Sequence, residues 1–210
     1  MDARLTRLME LAAKTAPEER AALALELCEL LSNWPMKYPA SMREPFETLL
    51  EKCVREVDGA TRASVAERLA AREEVPVPFL NELFFDAPRH AKSEIVRRNA
   101  ETNGHHVNIA ADEAKVIQAA RGNKADGFAA DFAKLLGIEQ GTAKRILTEP
   151  SGDALAIACK GAHLTRAAFS MLAVMFAPDA QARENRLAAY ESVPQEGADG
   201  ILHYWRSEAA

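Results

Sequence analysis

The side chains that could do chemistry in this chain are few, and their spacing does not favour it. His105 and His106 are adjacent in a turn-rich stretch, whereas a closed zinc site needs four ligands in tetrahedral array, so the pair reads as loop residues. His90 and His163 each stand beside an arginine or a helix start, with no serine and acid ordered to form a relay. Ser151-Gly152-Asp153 imitates a fragment of a phosphate loop, but no GK[ST] follows and no strand precedes it. A glycine for the turn and an acid in the first helical turn account for it. The acid pairs Glu18-Glu19 and Glu73-Glu74 fall at helix ends, where solvent and the helix dipole explain them. Cys28, Cys53 and Cys159 are odd in number, far apart and set in apolar helical stretches, which reads as buried thiols in a reducing compartment rather than a disulfide framework or a CxxC site. No catalytic residue, cofactor or metal is assigned, and the chain is expected to be non-enzymatic.

Binding chemistry has more support. A helix-turn-helix wants an apolar residue then alanine in its first helix, glycine four residues on, and apolar anchors in its second helix. Phe132-Ala133, Gly137-Ile138, Ala143 and Ile146 meet that spacing, and Gln140, Thr142, Lys144 and Arg145 lie on the helix that would face the major groove. Against DNA stand Glu139 at the front of that helix, the acidic neighbours Asp126, Asp131 and Glu149, and the lack of a basic arm. The same hairpin is then written again: FAADFAKLLGIEQGTAKRIL at 128–147 is echoed by DALAIACKGAHLTRAAFSML at 153–172, a spacing of 25 at which four residues, three alanines and a leucine, recur identically. In that register Ala162 replaces Gly137 and His163 replaces Ile138, leaving little to read bases. Lys160 and Arg166 could touch phosphates, though scattered cations are ordinarily solvated surface. Tandem hairpins favour a scaffold over a DNA reader.

The elements that must position these surfaces are all helices. Alanine supplies 41 of 210 residues, hydrophobic types 48% and aromatics only 6%, a composition for close helix packing rather than sheet. Leu5, Leu8 and Leu11 mark a helix over 2–14; Pro17-Glu18-Glu19 opens a second; Ser41 is placed to cap a third running to Val57, with Asp58-Gly59 closing it. Further helices are expected at 61–72, after Pro76 and Pro78, at 90–100 and at 112–120, with a polar one after Pro178. The turn-rich 101–109 sets a boundary between subdomains 1–104 and 105–210. The fold class is therefore all-α, a right-handed α-solenoid-like array of HEAT-like hairpins in two subdomains.

Charge and hydropathy narrow the partners. The net charge is −5, divided evenly between the halves, which supplies no broad field for phosphate backbones or anionic lipid. MDARLTRLMELAAK lacks the apolar core of a signal peptide, and no stretch approaches the roughly 20 apolar residues of a membrane span, so the expected location is the cytoplasm. Phe84, Phe85, Tyr204 and Trp205 are candidates for a protein interface or a homodimer contact, with core packing as the competing explanation. A small-molecule pocket near Thr102–Ile109 is a third possibility.

GDALAIACKGAHLTRAAFSML with the preceding LLGIEQGTAKRIL, and the earlier RASVAERLA and VPVPFLNELFFD, resemble a bacterial domain-of-unknown-function family, number 2336, over about Asp58 to Phe176. The resemblance implies HEAT-like helical repeats, no established activity and no site residues. Members being commonly longer than this chain, it also implies a superhelical surface shorter than theirs. The expected function is non-enzymatic protein–protein interaction; the alternatives are a DNA-binding regulator using 128–148 and a small-molecule sensor.

Overall fold

The computed structural model describes residues 3–102, 108–122, 125–177 and 179–209. Every regular element among them is helical: thirteen α-helices, one 3₁₀ turn and no strand. His105 and His106 lie outside the described residues, as does most of the 102–109 segment considered for a pocket. Contacts divide the chain into units Met1–Ala91 and Lys92–Ala210, a boundary earlier than the turn-rich segment on which the sequence placed it.

The first unit is built on α2 (Pro17–Ser32), whose proline at its start and acids Glu18 and Glu19 in the first turn suit the helix dipole. Its Leu23, Ala24, Leu27, Cys28, Leu30 and Leu31 are buried against α1 (Ala3–Ala12), α3 (Arg43–Glu56) and α4 (Gly59–Leu69). Two boundaries differ from expectation. Ser41 belongs to a 3₁₀ turn over Ala40–Met42 and does not cap α3, which starts behind Met42 without a side-chain cap. Asp58 opens α4 rather than closing α3: its Oδ1 accepts the Thr61 N–H at 2.7 Å. Asp-Gly serves a turn or an N-cap equally well, and here the free donors of the next helix decide. α5 (Val77–Leu83) packs on α4 and brings Glu82 within 2.6 Å of Arg55.

In the second unit α6 (Arg89–Thr102, from Lys92 on), α7 (Glu113–Gly122), α8 (Ala125–Leu136) and α9 (Gln140–Thr148) precede α10 (Asp153–Gly161), then α11 (Arg166–Met175), α12 (Ala180–Ser192) and α13 (Gln195–Ser207). α10 is buried all round, Asp153 to Cys159 without exception, and packs on α9, α11, α12 and most extensively α13. A helix apolar on every side must be surrounded. Gly161 permits a close approach of α13, since a β-carbon there would stand 2.8 Å from the Ala198 carbonyl oxygen.

Candidate functional site

The hairpin that resembles a DNA reader is made by α8 and α9, and its turn is set by Gly137. At φ 71° it adopts the left-handed conformation open to glycine, and both its N–H and that of Ile138 donate to the Ala133 carbonyl. Ile138 is thereby turned into the core. The second hairpin closes in the same way at His163, whose φ is 55°, with the Leu164 N–H donating to Cys159 O at 2.8 Å and Leu164 buried. Gly137 pairs with His163, Ile138 with Leu164 and the capping residue Glu139 with Thr165, so the structural spacing is 26, not the 25 read from alanine identities. Histidine is among the few non-glycine residues that enter this conformation readily. Thr165 is fixed from α7: its N–H donates to Glu113 Oε2 at 2.7 Å and its hydroxyl to Oε1 at 3.0 Å, while its oxygen accepts from the Ala168 N–H.

On α9, Gln140, Lys144 and Arg145 are exposed and Thr142 is half-buried, with Ala143, Ile146 and Leu147 forming the inner face. The exposed charges of the helix proper are thus cationic, with Glu139 at its head. Glu149, counted from sequence as an acid against nucleic acid, turns inward. Lys160 is committed elsewhere: its ammonium donates to Val193 O at 2.6 Å and lies 4.6 Å from the Tyr190 ring centre. Arg166 pairs with Glu191.

The joint between α9 and α10 is polar, buried and largely invisible in sequence. Glu149 pairs with Lys92 at 2.7 Å, the two side chains 6% and 8% exposed, and also accepts from the Ser151 hydroxyl and the Ser151 and Gly152 N–H groups. Burial pushes the Glu149 pKa up, but the Lys92 charge and hydrogen bond, with those from Ser151 and Gly152, outweigh it and hold the carboxyl below the usual glutamate range. Arg186 of α12, fully buried, donates from Nη2 to Leu147 O at 2.7 Å and Glu149 O at 2.8 Å, satisfying the carbonyl end of α9. Its Nε and Nη1 find no acceptor among the described residues; the through-space charge of Glu149 opposes the downward pull of burial on its pKa. At the far end of α8, Arg206 donates to Leu136 O, Asn108 Oδ1 and Ile109 O.

The aromatic candidates separate. Phe84 and Trp205 are buried and belong to the cores of their units, so neither offers a docking surface; Phe85 and Tyr204 are half-buried, Phe85 edge-on to Phe84 at 5.8 Å. Trp205 faces inward because α13 lays Ala198, Ile201, Leu202 and Trp205 along one stripe toward α10. The large apolar side chains that are exposed lie elsewhere, Val174 and Met175 at the end of α11 among them. No group of three or more His, Cys, Asp or Glu able to hold a metal ion occurs among the described residues, and no helix among them is long and apolar enough to cross a membrane.

Fold and surface define an all-α protein whose second unit is packed around the buried helix α10. Residues 104–203 match the family described as "Uncharacterised protein conserved in bacteria (DUF2336)". The match omits the RASVAERLA and VPVPFLNELFFD stretches and extends beyond Phe176. No curated protein and no solved structure matches the chain.

Proposed function

We propose that this protein is a non-enzymatic helical scaffold of the cytoplasm that holds a partner protein against the outer face of α11. The observation that carries the reading is the end of that helix, where Val174 and Met175 are 43% and 44% exposed and follow half-buried Met171 at helical spacing. Single apolar residues on a surface are ordinary, but three on one helix face match the helix-in-groove mode of recognition. In the first unit α2 packs on α1, α3 and α4, the neighbour and next-neighbour pairing from which HEAT-like hairpins are stacked. That pairing supports a solenoid-like arrangement there. Affinity capture from native lysate tests the reading. A protein retained by the wild type and lost with Val174→Glu/Met175→Glu supports it, and a second copy of the chain as the retained species makes it a homodimer. Recovery of the same proteins by both baits removes α11 from the reading.

The alternative is a DNA-binding regulator, favoured by the left-handed Gly137 turn and the exposed Gln140, Lys144 and Arg145. The acidic net charge ranks it second. A sequence-selective mobility shift lost in Lys144→Ala/Arg145→Ala supports it; no shift at micromolar protein rejects it.

A further inference from the structure

The second unit contains a cavity of about 400 Å³, within the size class of small-molecule sites. α6 supplies Lys92, Val96, Arg97 and Ala100 to its wall, the head of α10 supplies Asp153, and the α12–α13 turn adds Val193 and Pro194. Its charged groups are not equivalent. The Lys92 ammonium is taken by Glu149, and the Arg97 guanidinium is held by Glu94 and Glu101. Asp153 is only 7% exposed, its Oδ2 lies 2.7 Å from the Ser151 hydroxyl, whose single proton it must share with the Glu149 carboxylate, and it has no cation within ion-pair distance among the described residues. A buried aspartate without a counter-ion is unusual. The helix dipole explains an acid in a solvated first turn, but here the Ser151 and Gly152 N–H groups ahead of α10 are already engaged by the Glu149 carboxylate. An anionic ligand would therefore meet cations and amides already occupied, whereas a cation would meet an unpaired carboxylate beside the apolar surface of Val96, Ala100, Val193 and Pro194.

We propose that this cavity binds an organic ammonium ion with an apolar body, Asp153 serving as its counter-ion. The inference does not depend on docking at α11, which involves other residues and is tested with other material. The experiment is calorimetric titration of the purified full chain with phenethylammonium, phenethyl alcohol as its neutral isostere, and phenylacetate. Saturable binding of the ammonium, with the alcohol at least about tenfold weaker and the carboxylate absent, is expected, as is a loss of at least about tenfold in Asp153→Asn, the range for a charged hydrogen bond. Ala100→Phe, which keeps Asp153 but fills the cavity from a half-buried position on α6, abolishes binding in a folded protein and carries the test if Asp153→Asn does not fold. A parallel titration with Nα-acetyl-lysine amide distinguishes a lysine side chain from a free amine as the source of the ammonium. The proposal is overturned if no ammonium binds saturably up to roughly 10 mM, the weak end of specific recognition. Equal binding of the alcohol, or undiminished binding by Ala100→Phe, also overturns it.

Discussion

Gly152 lies against the backbone of Arg186: a β-carbon on Gly152 would stand 2.4 Å from the Arg186 Cα and 2.6 Å from its Cγ. Gly152 is also in the left-handed conformation, at φ 82°. The two constraints act together, because the same turn that starts α10 lets α12 come close enough for Arg186 to reach the Leu147 and Glu149 carbonyls. Gly152→Ala should therefore lose at least about 2 kcal/mol, backbone strain and overlap adding. Urea unfolding followed by circular dichroism measures it, and a loss no greater than that of an exposed helical glycine would show that α12 shifts freely.

The paired turns make a prediction of opposite signs. Gly137→Ala places a β-carbon at a left-handed position and should cost about 1 kcal/mol, while His163→Gly relieves that strain at an exposed site and should gain about 0.5 kcal/mol. Ala162, which the alanine register sets opposite Gly137, is fully buried with φ −89°, so Ala162→Gly should destabilise by about 1 kcal/mol or more. A gain from Ala162→Gly and a loss from His163→Gly would restore the spacing of 25.

The helices themselves were legible because leucine and alanine recur at helical spacing, as in Leu23, Leu27, Leu30 and Leu31, all inward in α2. The turn register was not, because alanine is so frequent that identical pairs arise at neighbouring spacings, whereas the conformation that defines the turn falls on a histidine in one copy. Trp205 is legible from sequence only as an interface or a core residue, and the packing of α13 on α10 accompanies its burial. Lys92 and Glu149, 57 residues apart, look like two surface charges in a chain rich in them. Burial by distant helices gives them their role, and local sequence carries no trace of it.

All three thiols should resist modification in the folded protein. Burial pushes Cys28 up to about 11 against the nearby Arg68 charge, raises Cys53 against Arg20, and raises Cys159 far above the ordinary thiol range, with Glu113 adding to it. The thiolate is the reacting species, so at pH 8 Ellman's reagent should label the native chain only as fast as it opens, and three thiols at once in denaturant. A thiol reacting within seconds under native conditions contradicts the buried placement.

The Lys92–Glu149 pair should appear in the pH dependence of stability. The folded pKa of Glu149 is below its unfolded value, so its contribution is complete above the ordinary glutamate range and lost as pH falls through the folded value. Lys92→Met removes the paired cation and leaves burial opposed by the Ser151 and Gly152 hydrogen bonds and the more distant Arg186 charge, raising the carboxyl pKa relative to wild type. The variant's penalty should therefore be greatest at neutral pH, about 3–5 kcal/mol as for a broken buried pair, and should shrink toward pH 4 as Glu149 takes up a proton. Adding Glu149→Gln should recover much of the loss, because a neutral amide can retain part of the hydrogen bonding without an unpaired charge. Urea titrations at several pH values decide the matter. A penalty that stays constant with pH, and is not relieved in the double variant, would mean that Lys92 contributes through the packing of its methylenes in the wall of α6.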